Sequence, residues 1–365
     1  MRRRGVGGTA FEQSVLDTIR IGARLTMHDP WFVIRGARLL WRQRSAAQRR
    51  RRQKAAGVRV PPFLIFSITE RCNFRCAGCY ANLLHRSERP ELTAEKVEAI
   101  LGEARDLGVS VILIAGGEPF LRPRLLDLTA SVPEILFLLF TNASRLDRSA
   151  IERLCRQPHV IPILSIEGDE QRTDARRGVG THARVLDAME RLRRAHAFFG
   201  TAMTLTSENF DTATDRQHLE DLQVRGCRLF YYINYVPVEP GTDALQLSVH
   251  QVEELERRLE AYRRSMPALF IAFPHDEAAF GGCLAAGRGF LHINAFGDVE
   301  PCPFSPYSDS NLNEMPLRDA LGSPLFRRIL ESGVDLNERD GRCALWKRRE
   351  WVLGLLESEE ESGSP

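Results

Sequence analysis

The sequence contains no apolar run long enough to cross a bilayer, which excludes a membrane-spanning helix. Its most apolar early stretch, Trp31 to Trp41, is interrupted by Arg35 and Arg38. Nor does Arg2-Arg3-Arg4 lead into an apolar segment of signal-peptide length. These absences predict a cytoplasmic protein. Internal repeats, low-complexity tracts and collagen-like periodicity are also missing, which leaves an ordinary globular chain. Net charge is nearly absent, with 50 Lys and Arg against 48 Asp and Glu, so the total gives no reason to expect a nucleic-acid partner. The near-zero sum hides an uneven distribution. Residues 1–60 hold 15 basic and 3 acidic side chains, a net of +12, which leaves −10 for residues 61–365.

What is present divides 365 residues into several units. Residues 1–60 read as a basic amphipathic helical arm, with Val33, Ala37, Leu40 and Trp41 able to share one face and Arg35, Arg38, Arg42 and Arg49 another. Such a helix either packs its apolar stripe on a neighbouring domain or lies on a membrane surface, a contact that residues 1–58 would make. After Pro61-Pro62, β-rich runs alternate with helical periods. The expected strands are Phe63–Thr69, Val109–Ala115, Leu136–Thr141, Ile161–Ile166, Thr201–Thr206 and Leu229–Val236. Continuous apolar strands separated by amphipathic helices predict an α/β fold, a parallel sheet curled towards a partial (β/α)6 barrel over residues 61–247. In such folds the site lies at the C-terminal ends of the strands. From residue 248 to 356 the chain becomes rich in glycine and loops, as a small module held by a metal would be. The acidic segment 357–365 reads as disordered.

Three of the eight cysteines, Cys72, Cys76 and Cys79, fall within eight residues directly after the first strand. Three thiolates are one too few for a closed structural zinc site. They suit a 4Fe–4S cluster with one iron left open. This C-x3-C-x2-C loop resembles that of the radical S-adenosylmethionine (SAM) superfamily. The resemblance implies that the open iron anchors SAM. It also implies that reductive cleavage yields a 5′-deoxyadenosyl radical, which abstracts hydrogen from a substrate carbon.

Further strand ends carry the same resemblance. Gly116-Gly117-Glu118-Pro119 looks like the family's GGEP motif, whose glutamate would accept from the SAM ammonium. Thr141-Asn142 ends the third strand, and Ser165-Ile166-Glu167-Gly168 resembles the stretch near the ribose hydroxyls. Either Arg176 or Arg177 would pair with the SAM carboxylate. Gly78 departs from the commonest pattern, which has an aromatic residue or histidine there beside the adenine. Either Tyr80 supplies the ring or the backbone alone holds the base.

Cys283-x13-Gly297-x4-Cys302 resembles the opening of a SPASM or twitch extension. That implies a hairpin turning at Gly297-Asp298 and an auxiliary 4Fe–4S cluster on Cys283 and Cys302, with Cys343 as third ligand. No dense cysteine group lies between 302 and 343, so a further auxiliary cluster is not expected. For the fourth ligand the sequence leaves an open iron, a non-cysteine side chain or Cys227, although Cys227 and Cys155 read first as buried structural residues. The expected function is hydrogen abstraction from a peptide or small metabolite, with flavodoxin or ferredoxin as electron donor. A lipid or membrane-associated substrate and a non-catalytic iron–sulfur protein are the alternatives.

Overall fold

The computed structural model describes residues 30–84, 87–337 and 342–357, with side chains considered from residue 39 onward. The start of the basic arm and residues 358–365 of the acidic tail lie outside the described residues. Strands β1 (Phe63–Thr69), β2 (Val111–Gly116), β3 (Leu136–Thr141), β4 (Val160–Ser165), β5 (Gly200–Leu205) and β6 (Leu229–Asn234) realise the six expected ones. Each is almost wholly apolar, because helices cover its outer face and the curled sheet fills its inner one.

Two strands that follow extend the sheet at opposite ends. β7 (Leu269–Phe273) pairs parallel with β6, and β8 (His292–Ile293) pairs parallel with β1. β9 (Val299–Glu300) then pairs antiparallel with β8, giving the order β7-β6-β5-β4-β3-β2-β1-β8-β9. The sheet therefore has eight parallel strands, two more than expected, and both β7 and β8 lie beyond residue 247. The hairpin turns at Gly297, as its sequence suggests, but its first strand keeps only two of the residues expected between Phe290 and Ala295.

The helices between strands carry their boundaries in the sequence. Thr93 caps Ala94–Leu107 by accepting from the Lys96 N–H, and Gly108 ends it in the left-handed region. Asp147, Asp169 and Asp215 cap later helices in the same way, and Ser248 with Gln251 forms a full capping box.

Helix α1 (Pro30–Ala55) lies across Ala94–Leu107. Gln43 donates to Ser110 O, Arg50 to Gly108 O and Arg42 to Pro133 O, while Ala46 is buried. The contact stripe is thus Gln43, Ala46 and Arg50, and Trp41 is 69% exposed. Of the apolar face read from the sequence, Leu40 packs against the core as expected and Trp41 does not. Donors aimed at loop carbonyls decide the helix's rotation, and the indole is turned to solvent. Val33 and Ala37 lie outside the described side chains.

Candidate active site

The C-terminal end of β1 runs into the cysteine loop, and the loop's base is held by a residue no motif announces. Glu91 accepts from the Thr69 hydroxyl (2.8 Å) and the Glu70 N–H (2.9 Å), and it pairs with Arg122 (3.3 Å) and Arg71 (3.6 Å). From the neighbouring strand end, Gly117 N donates to Thr69 O and Glu118 N to Arg71 O. A Cβ on Gly117 would overlap the Arg71 carbonyl, so the pair of glycines is required by the approach of the cysteine loop itself.

Glu118 is buried at 1% exposure and bonded by its own chain: it accepts from Phe120 N, Asn142 N and the Thr141 hydroxyl. Burial raises its pKa, and those donors offset part of the rise. Asn142 in turn donates to the Asn73 side chain (3.1 Å), whose amide reaches Ser144. Asn73 and Ser144 are site residues that sequence reasoning missed. Their only signal was Asn73's place inside the cysteine loop.

On the other side of the loop lies a buried charged group. Glu167 accepts from Arg176 Nη1 (2.5 Å), Arg177 Nε (2.7 Å) and Thr204 N (2.9 Å). Asn209 ties Glu167 O to Thr204 O, and Ala77 N in the cysteine loop donates to Arg176 O. Both arginines therefore share one carboxylate, that of Glu167. Burial opposes the charge on Arg177, but Glu167 and Cys76 outweigh it and raise its pKa. Ser165 stands half-buried at the end of β4.

The three thiols feel one another's charge: Cys76 and Cys79 act on Cys72, and Cys79 on Cys76. Burial raises the pKa of Cys72 and Cys76, while Arg177 and Arg176 pull Cys76 back. Among the described residues no three His, Cys, Asp or Glu gather closely enough for a single metal ion. Thiols spread around a loop fit a multi-iron cluster, which takes one thiolate per iron. Their protons would leave on loading.

The two tyrosines near this loop face different ways. A Cβ on Gly78 would lie 2.6 Å from the Tyr235 hydroxyl, so the ring filling the space beside position 78 comes from just beyond β6. Tyr80 instead hydrogen-bonds Ser67 and packs on Phe304 with 5.1 Å between centroids, within reach of both Cys79 and Cys302.

Behind Tyr80 a buried chain crosses from barrel to hairpin. Ser67 Oγ lies 2.7 Å from His292 Nε2, and His292 Nδ1 lies 2.6 Å from Glu300 Oε2. Asn294 donates to Glu300 and to Asp298, which pairs with Arg89. Serine, histidine and glutamate in line resemble a hydrolytic triad, but Ser67 is 2% exposed and no substrate reaches it. Both ring nitrogens of His292 are engaged, so it is no free metal ligand.

Cys283, Cys302 and Cys343 are all buried in the main apolar core. Ala286 N donates to Pro301 O, joining the segments that carry Cys283 and Cys302, and Cys343 occupies the N-cap position of the short helix Ala344–Lys347 without a side-chain cap bond. Cys227 is wholly buried, bonded to Leu229 O and facing Thr201, and burial pushes its thiol up to about 11. Cys155 meets Ala195 O. Both are structural.

Residues 66–217 match the radical SAM superfamily. The chain carries a radical SAM domain. It is 23% identical over 328 residues to the AdoMet-dependent heme synthase of Methanosarcina barkeri (strain Fusaro / DSM 804), covering 82% of this chain and 92% of that one. It is 27% identical over 294 residues to the mycofactocin maturase MftC of Mycobacterium ulcerans (strain Agy99), covering 75% and 78%. The fold is shared with Streptococcus suis SuiB bound to S-adenosylmethionine, at a TM-score of 0.66 and 20% identity over 81% of this chain and 74% of that one. A radical SAM domain works with a 4Fe–4S cluster and SAM. No helix among the described residues is long and apolar enough to cross a membrane.

Proposed function

We propose that the chain abstracts a hydrogen atom from a carbon of a peptide or small metabolite, with Cys72, Cys76 and Cys79 holding the SAM-binding cluster. The observation that carries this reading is the convergence, at the C-terminal strand ends, of those thiols with the Arg176–Arg177–Glu167 group and Asn142. When bound, the cluster supplies the electron that cleaves the SAM sulfonium, and the resulting radical takes the hydrogen. The chain's own residues orient and seal. Arg176 and Arg177, fixed by Glu167, offer cationic edges for a carboxylate. Gly116 and Gly117 bring β2 against the cysteine loop, and Glu118 holds Asn142 at the mouth. Cys283, Cys302 and Cys343 would hold an auxiliary 4Fe–4S cluster in the module from residue 248 to 356, with β7 added to the barrel of residues 61–247. Flavodoxin or ferredoxin is the class of donor proposed.

A peptide substrate is supported by the maturase among the relatives and by SuiB, whose structure with precursor peptide SuiA has the same fold. A heme-type tetrapyrrole is the second reading, favoured by the fuller overlap with the heme synthase. Anaerobically reconstituted protein, reduced with dithionite and given SAM, should release 5′-deoxyadenosine. Loaded protein that releases none overturns the reading. Mass spectrometry of mixtures containing a precursor peptide or an iron tetrapyrrole separates the two substrate classes. Exposed Trp41 and Arg51 and Arg52 on α1 favour a membrane-surface contact, which liposome flotation with and without residues 1–58 tests.

A further inference from the structure

The proposed auxiliary site has three cysteines, and the structure holds an unclaimed polar atom beside one of them. Ser305 is fully buried, and its hydroxyl has no hydrogen-bond partner among the described residues. A buried polar atom of this kind calls for a partner. Its backbone N–H donates to Cys302 O at 2.9 Å, closing the turn Cys302-Pro303-Phe304-Ser305. Cys302 and Ser305 face each other as an isolated antiparallel bridge. Residues directly opposite in an antiparallel pair project to the same face, with Cβ atoms about 4.5–5.5 Å apart. The side chains of Cys302 and Ser305 therefore leave the backbone on the same face of one tight turn. Two side chains separated by two residues on a turn is the spacing of a chelating Cys-x2-Cys pair, with oxygen here in place of the second sulfur. Phe304, between them, packs on Tyr80 and fixes the turn against the barrel.

We propose that Ser305 Oγ is the fourth ligand of the auxiliary iron–sulfur cluster, completing the set Cys283, Cys302 and Cys343. The inference rests on the two-cluster reading above. On loading, the Oγ–H proton leaves to solvent as the oxygen–iron bond forms, as the thiol protons do, and no electron changes hands. Ser310 Oγ is also buried and unpartnered, but residue 310 faces Val299 across the hairpin rather than Cys302. It serves as the control.

The experiment is anaerobic reconstitution of the full chain and of Ser305→Ala, Ser305→Cys and Ser310→Ala, with iron and sulfide counts and EPR of the reduced protein. The parent and Ser310→Ala should bind about eight irons per chain. Ser305→Ala should lose one iron, or the whole second cluster, and show an altered signal from that centre alone. Ser305→Cys should keep the full count and shift that signal. The melting temperature of iron-free Ser305→Ala, equal to or above the parent's, separates ligand loss from misfolding, because only an unpartnered hydroxyl has been removed. Ser305→Ala with the parent's iron count and spectrum overturns the assignment while leaving two clusters standing. A parent that binds only about four irons fails the two-cluster reading, and the assignment with it.

Discussion

Cys72, Cys76 and Cys79 stand half-exposed at the open end of the sheet, whereas Cys283, Cys302 and Cys343 are 3%, 7% and 9% exposed within the apolar core. The first set is surrounded by charge, with Arg176, Arg177, Glu167 and Glu118 around it. The second belongs to the main apolar core, where Cys283 N donates to Leu336 O. Exposure and charge suit a centre that meets a polar cosubstrate, and burial suits one that solvent must not reach. Burial and hydrogen bonding tune cluster potentials, so centres built this differently should differ in potential as well.

The most severe test of that contrast is to empty each set in turn. Cys76→Ala should abolish 5′-deoxyadenosine formation, leaving only background, while Cys302→Ala should retain SAM cleavage and lose substrate conversion. Parallel product and iron assays decide it, and equal loss in both variants would erase the distinction. Gly117→Ala should come next, because its Cβ overlaps the Arg71 carbonyl and displaces the first loop without removing any ligand. Its expected signature is reduced iron in the first centre with an unchanged EPR signal from the second.

Glu167→Ala should destabilise the fold by about 3–5 kcal/mol in denaturant titration, since it strands two partly buried guanidinium groups. A smaller effect arises at the seam between the two regions. Burial lowers the pKa of His292 to about 3. An unfolded histidine takes its proton near pH 6.5, so this contribution to stability is complete above that pH and falls as pH drops towards 3. The loss is at most about 1.4 kcal/mol per pH unit. The pH dependence of the denaturation midpoint checks it, and His292→Asn should flatten that slope.

The six barrel strands were legible because each is a continuous apolar run bounded by a helix cap or a turn, and Phe63–Thr69 and Leu136–Thr141 agree at both ends. β7 was not legible, because its five residues follow a charged helix in a segment whose glycines and cysteines suggested a different unit. The cysteine loop could be read from spacing, and the arginine pair from the family resemblance that the loop carries. Glu91 could not, since its role depends on donors from Thr69, Glu70, Arg71 and Arg122 that only folding assembles. Trp41 was misplaced for a related reason: amphipathic pattern gives a helix's apolar side, but specific carbonyls on the neighbour chose its rotation.

The pairing of β1 with β8 has a consequence for synthesis. Ser67 and its hairpin partner His292 are 225 residues apart in the chain. At about 5–20 residues per second, the open side of β1 waits on the order of ten to forty-five seconds on the ribosome for its second neighbour. During that interval Phe63-Leu64-Ile65-Phe66 presents an apolar, unpaired edge, the kind that recruits other chains. A nascent chain of this protein therefore depends on whatever shields that edge, and slowed translation between residues 70 and 290 should lower its soluble yield more than slowed translation after residue 300.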